Sequence, residues 1–153
     1  MTTDRDVVLI EGVRTPFAKA GTKLKDVHPA ELGRFAVQEL IAKSQLDVNH
    51  VDEVIIGNTG NPPDAVNIAR VVALRSGVPK HVPAFTVHRN CASAMESITS
   101  AFEKVRGGTA DTIIAGGTEN MSQLPLLFSR AFVKIFEKLG SARTLGGRLG
   151  ALG

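Results

Sequence analysis

The sequence predicts an α/β fold with a mostly parallel sheet covered by helices. Three observations predict it. Short apolar runs, rich in β-branched residues, recur near residues 7–10, 54–56, 84–87 and 111–115. Segments with apolar residues three or four apart fill the gaps between them. Gly and Pro punctuate most of the junctions. The resulting order, β-α-β-α-β-α-β, implies crossover connections between parallel strands.

Val7-Val8-Leu9-Ile10 is continuously apolar, the signature of a strand buried on both faces. Residues 14–27 are polar, with Gly21 and four basic side chains, and read as a surface loop. Pro29 suits the first turn of a helix. That helix is expected to run to about Ser44, with Leu32, Phe35, Ala36 and Leu40 inward and the Lys43 stem beside them. Val54-Ile55-Ile56 is a second strand, closed by Gly57, and Asn61-Pro62-Pro63-Asp64 is a turn. A helix follows from Ala65 to Leu74 and ends at Gly77-Val78-Pro79. The third strand lies around Ala84 to His88. A helix with Met95, Ile98, Phe102 and Val105 on one face runs to about Arg106, where Gly107-Gly108 stops it. Asp111 to Ala115 is the fourth strand. In such sheets, sites gather at the C-terminal ends of strands.

Length and composition narrow the class. The chain has 153 residues, 43% hydrophobic and 22% charged, enough for one globular domain with a core. No apolar run is long enough to span a bilayer, and no secretory leader is evident. The single cysteine excludes an internal disulfide and makes a reducing cytoplasm the expected setting. There is no Trp or Tyr to stack on nucleic-acid bases. The positive charge is local: residues 123–153 carry five Lys and Arg against Glu137 alone.

That cysteine, Cys91, stands between the third strand and the helix after it. A thiol on the first turn of a helix meets N–H groups and a positive dipole end that stabilise nearby negative charge, which suits a nucleophile. The other reading is a buried structural cysteine. His88, three residues earlier, is a candidate base or an ordinary strand-end histidine.

Four motifs, in order, resemble the N-terminal part of the thiolase family, which makes and breaks β-ketoacyl-CoA esters. They are Glu11-Gly12-Val13-Arg14-Thr15-Pro16-Phe17, Asn67-Ile68-Ala69-Arg70, Asn90-Cys91-Ala92-Ser93 and Ala115-Gly116-Gly117-Thr118-Glu119-Asn120-Met121-Ser122. The match spans residues 6–122. It departs at Ala94, where thiolases often have glycine; alanine favours a helix by about 1 kcal/mol and adds a methyl group. The resemblance implies acyl transfer between acyl-CoA and acetyl-CoA, by thiolytic cleavage or Claisen condensation, within fatty-acid metabolism such as β-oxidation. It implies that Cys91 forms the acyl-enzyme, that its own backbone N–H is one oxyanion donor, and that the loop at Glu119 shapes the adjoining wall. Glu119 also reads as a structural hydrogen-bonding residue. Coenzyme A thioesters are implied as substrates, with no cofactor and no metal. The start of the chain and the Gly-Gly-Thr-Glu-Asn-Met stretch favour thiolase over ketoacyl synthase.

The family's activating histidine, in a Gly-His-Pro context, and its second cysteine, in a Cys-Gly-Gly loop, do not occur in these residues. The chain therefore reads as residues 1–122, an incomplete thiolase-like α/β domain, followed by residues 123–153, the truncated start of a helical loop domain. The isolated chain is expected to be inactive. An inactive fragment or a non-catalytic association module is the alternative function. Expected partners are a complementing C-terminal portion or further copies of the chain. In the tail, Phe128, Phe132, Ile135, Phe136 and Leu139 fall at helical spacing, with Arg130, Lys134 and Lys138 largely on another side. Such a helix packs on the rest of a thiolase, on a partner subunit or on a membrane surface.

Overall fold

The computed structural model describes residues 5–142 and 144. It is an α/β arrangement in the order α1 (Pro29–Ser44), β1 (Glu53–Gly57), α2 (Ile68–Arg75), β2 (Ala84–Val87), α3 (Ser93–Arg106), β3 (Ile113–Gly117) and α4 (Arg130–Ser141). Short 3-10 turns at Val48–His50 and Met121–Gln123 sit in the connections. The three strands form a parallel sheet with β1 in the centre, in the order β2-β1-β3. Val54 lies opposite Ala84 on one side and Ile114 on the other.

Strand alternation divides the sheet. Val54, Ile56 and Ile114 enter one core with Ala30 and Val37 of α1 and Ile68, Ala69, Val72 and Ala73 of α2. Ile55 is out of phase with them, fully buried on the side that α3 covers. The starts of α1 and α2 are capped by side chains. His28 Nδ1 accepts the Ala30 N–H ahead of Pro29, and Asn67 Oδ1 accepts the Arg70 N–H. Asn67 also accepts the Thr86 hydroxyl and donates to the Ala84 carbonyl, tying α2 to β2. Arg70 donates to the carbonyls of Val82 and Lys80, holding the loop that enters β2. These contacts account for two residues of the Asn-Ile-Ala-Arg motif.

Helix α2 starts at Ile68, behind its Asn67 cap, and not at the expected Ala65, and three further expectations need correction. Val7 to Ile10 is not a strand: the segment is unpaired and Leu9 is 87% exposed. A run apolar on every residue needs a neighbour on each face, and no described element lies beside it to supply one. On α1 the inner face is Ala30, Gly33 and Val37, with Leu40 and Ile41 packed against the core. Phe35 is half exposed and lies under the Arg34 guanidinium, 4.2 Å from it. The small residues win the inner face because they let α1 approach α2 closely. Finally, β3 starts two residues later than expected. The Asp111 and Thr112 N–H groups donate to the Asp52 carboxylate, at 2.6 and 2.9 Å, before regular pairing begins.

The apolar stripe of α3 faces away from the sheet. Met95 is 61% exposed, and Ile98 and Phe102 are also open, while Ser93 and Ser97 are buried against the strands. The helix can sit this low only because β1 and β3 end in glycine. A Cβ on Gly57 would lie 2.3 Å from the Ser93 carbonyl carbon, and one on Gly117 2.6 Å from the Ala94 Cβ. The Ala94 methyl, the departure noted in the sequence, thus occupies space that Gly117 leaves open. Ser97 completes the seat by donating to the Gly116 carbonyl at 2.7 Å.

Candidate active site

All three strands deliver residues to one rim, at their C-terminal ends. From β1 comes Asn58, whose N–H donates to the Val87 carbonyl at 3.1 Å and so extends the sheet by one residue. From β2 comes the corner His88-Arg89-Asn90-Cys91-Ala92. From β3 comes Thr118-Glu119-Asn120, starting with a 3.0 Å bond from the Thr118 N–H to the Gly57 carbonyl.

The corner is built around Asn90, which adopts a left-handed conformation with φ 50°. Asparagine tolerates that region better than most residues. The Asn90 carbonyl accepts from three donors: the Ser93 hydroxyl at 2.7 Å, the Thr59 hydroxyl at 3.0 Å and the Ser93 N–H at 3.1 Å. The buried Ser93 oxygen also accepts the Arg89 N–H at 2.8 Å. Helix α3 begins at Ser93 with Ala92 as its cap, so Cys91 stands just before the cap and not on the first turn as expected. Its thiol is exposed and free, which removes the buried-cysteine reading. His88 is exposed, and its Nδ1 accepts the Asn90 N–H at 3.4 Å, so that nitrogen serves the corner. Arg89 is ion-paired with Glu96 one turn into α3, and this carboxylate holds the guanidinium above its ordinary pKa.

Most of the Thr-Glu-Asn-Met-Ser motif is structural. Glu119 Oε2 accepts the Thr59 and Gly60 N–H groups at 2.8 and 2.9 Å. The buried Asn58 amide donates to the Thr118 carbonyl at 2.8 Å, and its oxygen accepts the Asn61 N–H. Asn120 donates to the Val27 and Leu24 carbonyls at 2.7 and 2.9 Å, pinning the polar loop that precedes α1. Thr118 donates to the Pro29 carbonyl, and Ser122 accepts the Gly21 N–H. Asn58, Thr59 and the bonding role of Ser93 are not apparent in the sequence reading. Their only signal is a polar Asn-Thr pair directly after a buried apolar strand.

Among the described residues, no group of three or more His, Cys, Asp or Glu side chains is placed to hold a metal ion. A pocket of about 140 Å³ lined by Asp52, Glu53, Pro83 and Lys104 lies at the opposite end of the sheet. It is smaller than usual ligand sites. No described helix is long and apolar enough to cross a membrane.

Comparison with known proteins agrees with this geometry. The family model described as the thiolase N-terminal domain matches residues 7–144. A 3-ketoacyl-CoA thiolase of Yersinia pestis (strain Pestoides F) is 34% identical over 143 residues, which is 94% of this chain and 33% of that protein. The structure of the Bacillus anthracis acetyl-CoA acetyltransferase superposes with a TM-score of 0.80 at 35% identity, covering 84% of this chain and 33% of that one. Acat5 thiolase from Ascaris suum, solved in complex with coenzyme A, gives 0.76 at 30% identity, covering 79% of this chain and 32% of that one. The chain thus spans about a third of the length of the relatives it matches.

Proposed function

We propose, from the premise that this chain belongs to the thiolase N-terminal domain family, that it supplies the nucleophile for acyl transfer between coenzyme A thioesters. The observation that carries this reading is the exposed Cys91 on a hydrogen-bonded corner where three parallel strands end. In the degradative direction the Cys91 sulfur attacks the ketone carbon of a β-ketoacyl-CoA. The bond between the two carbonyl-bearing fragments breaks, and the leaving carbanion takes a proton to become acetyl-CoA. The acyl group remains on sulfur as a thioester, and a second coenzyme A thiol displaces it. Covalent catalysis splits one difficult step into two. The Cys91 backbone N–H is one donor for the oxyanion that forms at each step.

The His and second Cys motifs that the family uses as acid and base are not in these 153 residues. Turnover therefore calls for a C-terminal thiolase portion, and the chain alone is inactive. The outward stripe Met95, Ile98 and Phe102, with the exposed run 8–10, supports pairing with such a portion or with further copies. The division at residue 122, with a helical loop domain beginning beyond it, belongs to the same proposal. So does a reducing, cytoplasmic setting, in which a lone thiol stays reactive.

The test mixes the chain with a C-terminal thiolase portion and supplies acetoacetyl-CoA and coenzyme A. Acetyl-CoA is expected to form, with a mass increase of one acyl group on Cys91. Cys91→Ala is expected to fold and to lose turnover by several orders of magnitude. Turnover retained by that variant would overturn the reading. Robust cleavage by the unmixed chain would overturn the requirement for a second portion.

A further inference from the structure

We infer that Glu119 and Thr59 are positioning residues for Cys91, acting as one relay from the end of β3 to the corner after β2. The inference rests on the proposal that Cys91 is the reacting group. The relay has three links. The Glu119 carboxylate holds two successive N–H groups, those of Thr59 and Gly60, on a single oxygen. This fixes the backbone from which the Thr59 side chain projects. The Thr59 hydroxyl then donates to the Asn90 carbonyl at 3.0 Å. That carbonyl belongs to the left-handed residue immediately before Cys91.

An exposed carboxylate that only solvated the surface would not need two backbone donors on one oxygen. An exposed threonine would not need to reach 31 residues along the chain to a strained turn. A left-handed non-glycine residue persists only when its surroundings over-determine it. Here Ser93 supplies that restraint from within the corner, and Thr59 supplies it from outside. Ser93 is local and moves with α3, whereas Thr59 ties the corner to the β1–β3 pair. The direction of the Cys91 side chain relative to the sheet therefore depends on Glu119, although Glu119 contacts the corner only through Thr59.

The test uses the 153-residue chain, whose single thiol makes labelling unambiguous. Alkylation of Cys91 by iodoacetamide is followed by intact mass at fixed pH under native conditions. Thr59→Val and Glu119→Ala are each expected to slow labelling by about threefold or more, because the sulfur loses its fixed setting beside the helix N-terminus. Thr59→Ser keeps the donor hydroxyl and is expected to stay within about twofold of wild type, whereas Glu119→Gln keeps the oxygen toward Thr59 and Gly60 but turns its NH2 toward the Asn120 and Asn58 donors that Oε1 accepts, and is expected to fall between wild type and Glu119→Ala. The double variant Thr59→Val/Glu119→Ala should be no slower than the slower single one, since both break the same relay. A change that merely loosens the fold lowers the midpoint of chemical denaturation and leaves the labelling of this already exposed thiol unchanged, so the two readouts together separate positioning from stability. Should Glu119→Ala fail to fold by circular dichroism, Glu119→Asp, which draws the carboxylate back by one methylene, carries the same expectation. Unchanged or faster labelling in the folded Thr59→Val and Glu119→Ala variants, failed rescue by Thr59→Ser, or multiplicative effects in the double variant would overturn the relay. Labelling reports the setting of the sulfur whether or not it accepts an acyl group, so failure of the acyl-transfer reading is seen separately, in the acylation experiment.

Discussion

At Gly117 a single hydrogen atom decides whether the corner can form. The Ala94 methyl sits where a Gly117 Cβ would project, 2.6 Å away, and neither backbone can retreat without lifting α3 off the sheet. Gly117→Ala is therefore expected to destabilise the chain by about 1–3 kcal/mol, the usual cost of overpacking. Ala94→Gly alone should cost about 1 kcal/mol in helix propensity. The double variant Ala94→Gly/Gly117→Ala should recover part of the loss, because it moves the methyl across the interface. Chemical denaturation of the four chains checks this, and strictly additive losses would show that the two positions do not share the space. Ser97 is a second decisive residue. Its hydroxyl is fully buried and satisfies the Gly116 carbonyl. Ser97→Ala leaves that carbonyl without this donor, for an expected loss of about 1–2 kcal/mol in the same experiment.

Elements are held in place here by short polar ties as much as by apolar packing. The entrance to β3 is the clearest case. Asp52 accepts the Thr112 and Asp111 N–H groups, and these bonds, the Thr112 one first, hold its carboxyl below the ordinary aspartate range. A carboxyl depressed on folding contributes stability that is present above its unfolded pKa and disappears as pH falls through the folded one. Asp52→Asn should therefore melt lower than wild type at neutral pH. The gap should close as pH falls below the normal carboxylate range, where both side chains are neutral. Thermal melts across pH check it, and a gap that is constant with pH would place the effect elsewhere. On α4 the tie is aromatic: Phe128 stacks on Phe132 with ring centroids 5.0 Å apart, and Phe132 meets Phe136 edge to face at 5.1 Å. Ser129 caps the helix through the Phe132 N–H. The Phe stripe nevertheless remains largely open, so these ring contacts organise the helix without burying it.

For the whole molecule, the distribution of apolar surface matters more than its total. One face of the sheet is closed by α1 and α2, while α3 on the other face turns Met95, Ile98 and Phe102 outward. Val8, Leu9, Ile10 and the α4 aromatics are also open to solvent, and large exposed apolar side chains in such number mark surfaces of association. The chain is expected to self-associate at low micromolar concentration and to bind a hydrophobic dye. Ile98→Glu and Phe102→Glu together should reduce association without altering the circular dichroism spectrum, since neither side chain faces the sheet. A sharp monomer peak in light scattering for the wild type would contradict this.

The α/β class, both ends of α1, the stop of α3 and the strand-to-helix corner at Cys91 were legible in the residues alone, because those depend on local chemistry. Pro29 and the Gly107-Gly108 stop act within a turn of where they stand, and the apolar run Val54-Ile55-Ile56 needs no partner to be read as a strand, whereas the cap at Asn67, which starts α2 three residues past the expected Ala65, bonds across to β2. The residues also carried the family motifs. Packing across the fold settled which face of each helix is inner, whether 7–10 pairs, and what the Thr-Glu-Asn-Met-Ser stretch does. Those outcomes depend on what lies across the gap. Small residues took the inner faces of α1 and α3 because backbone approach outweighed the larger side chains' burial, so Phe35 and Met95 faced out against their hydropathy. Glu119 acquired its role from Thr59 and Gly60, some sixty residues away in sequence, a pairing that exists only once β1 and β3 lie side by side.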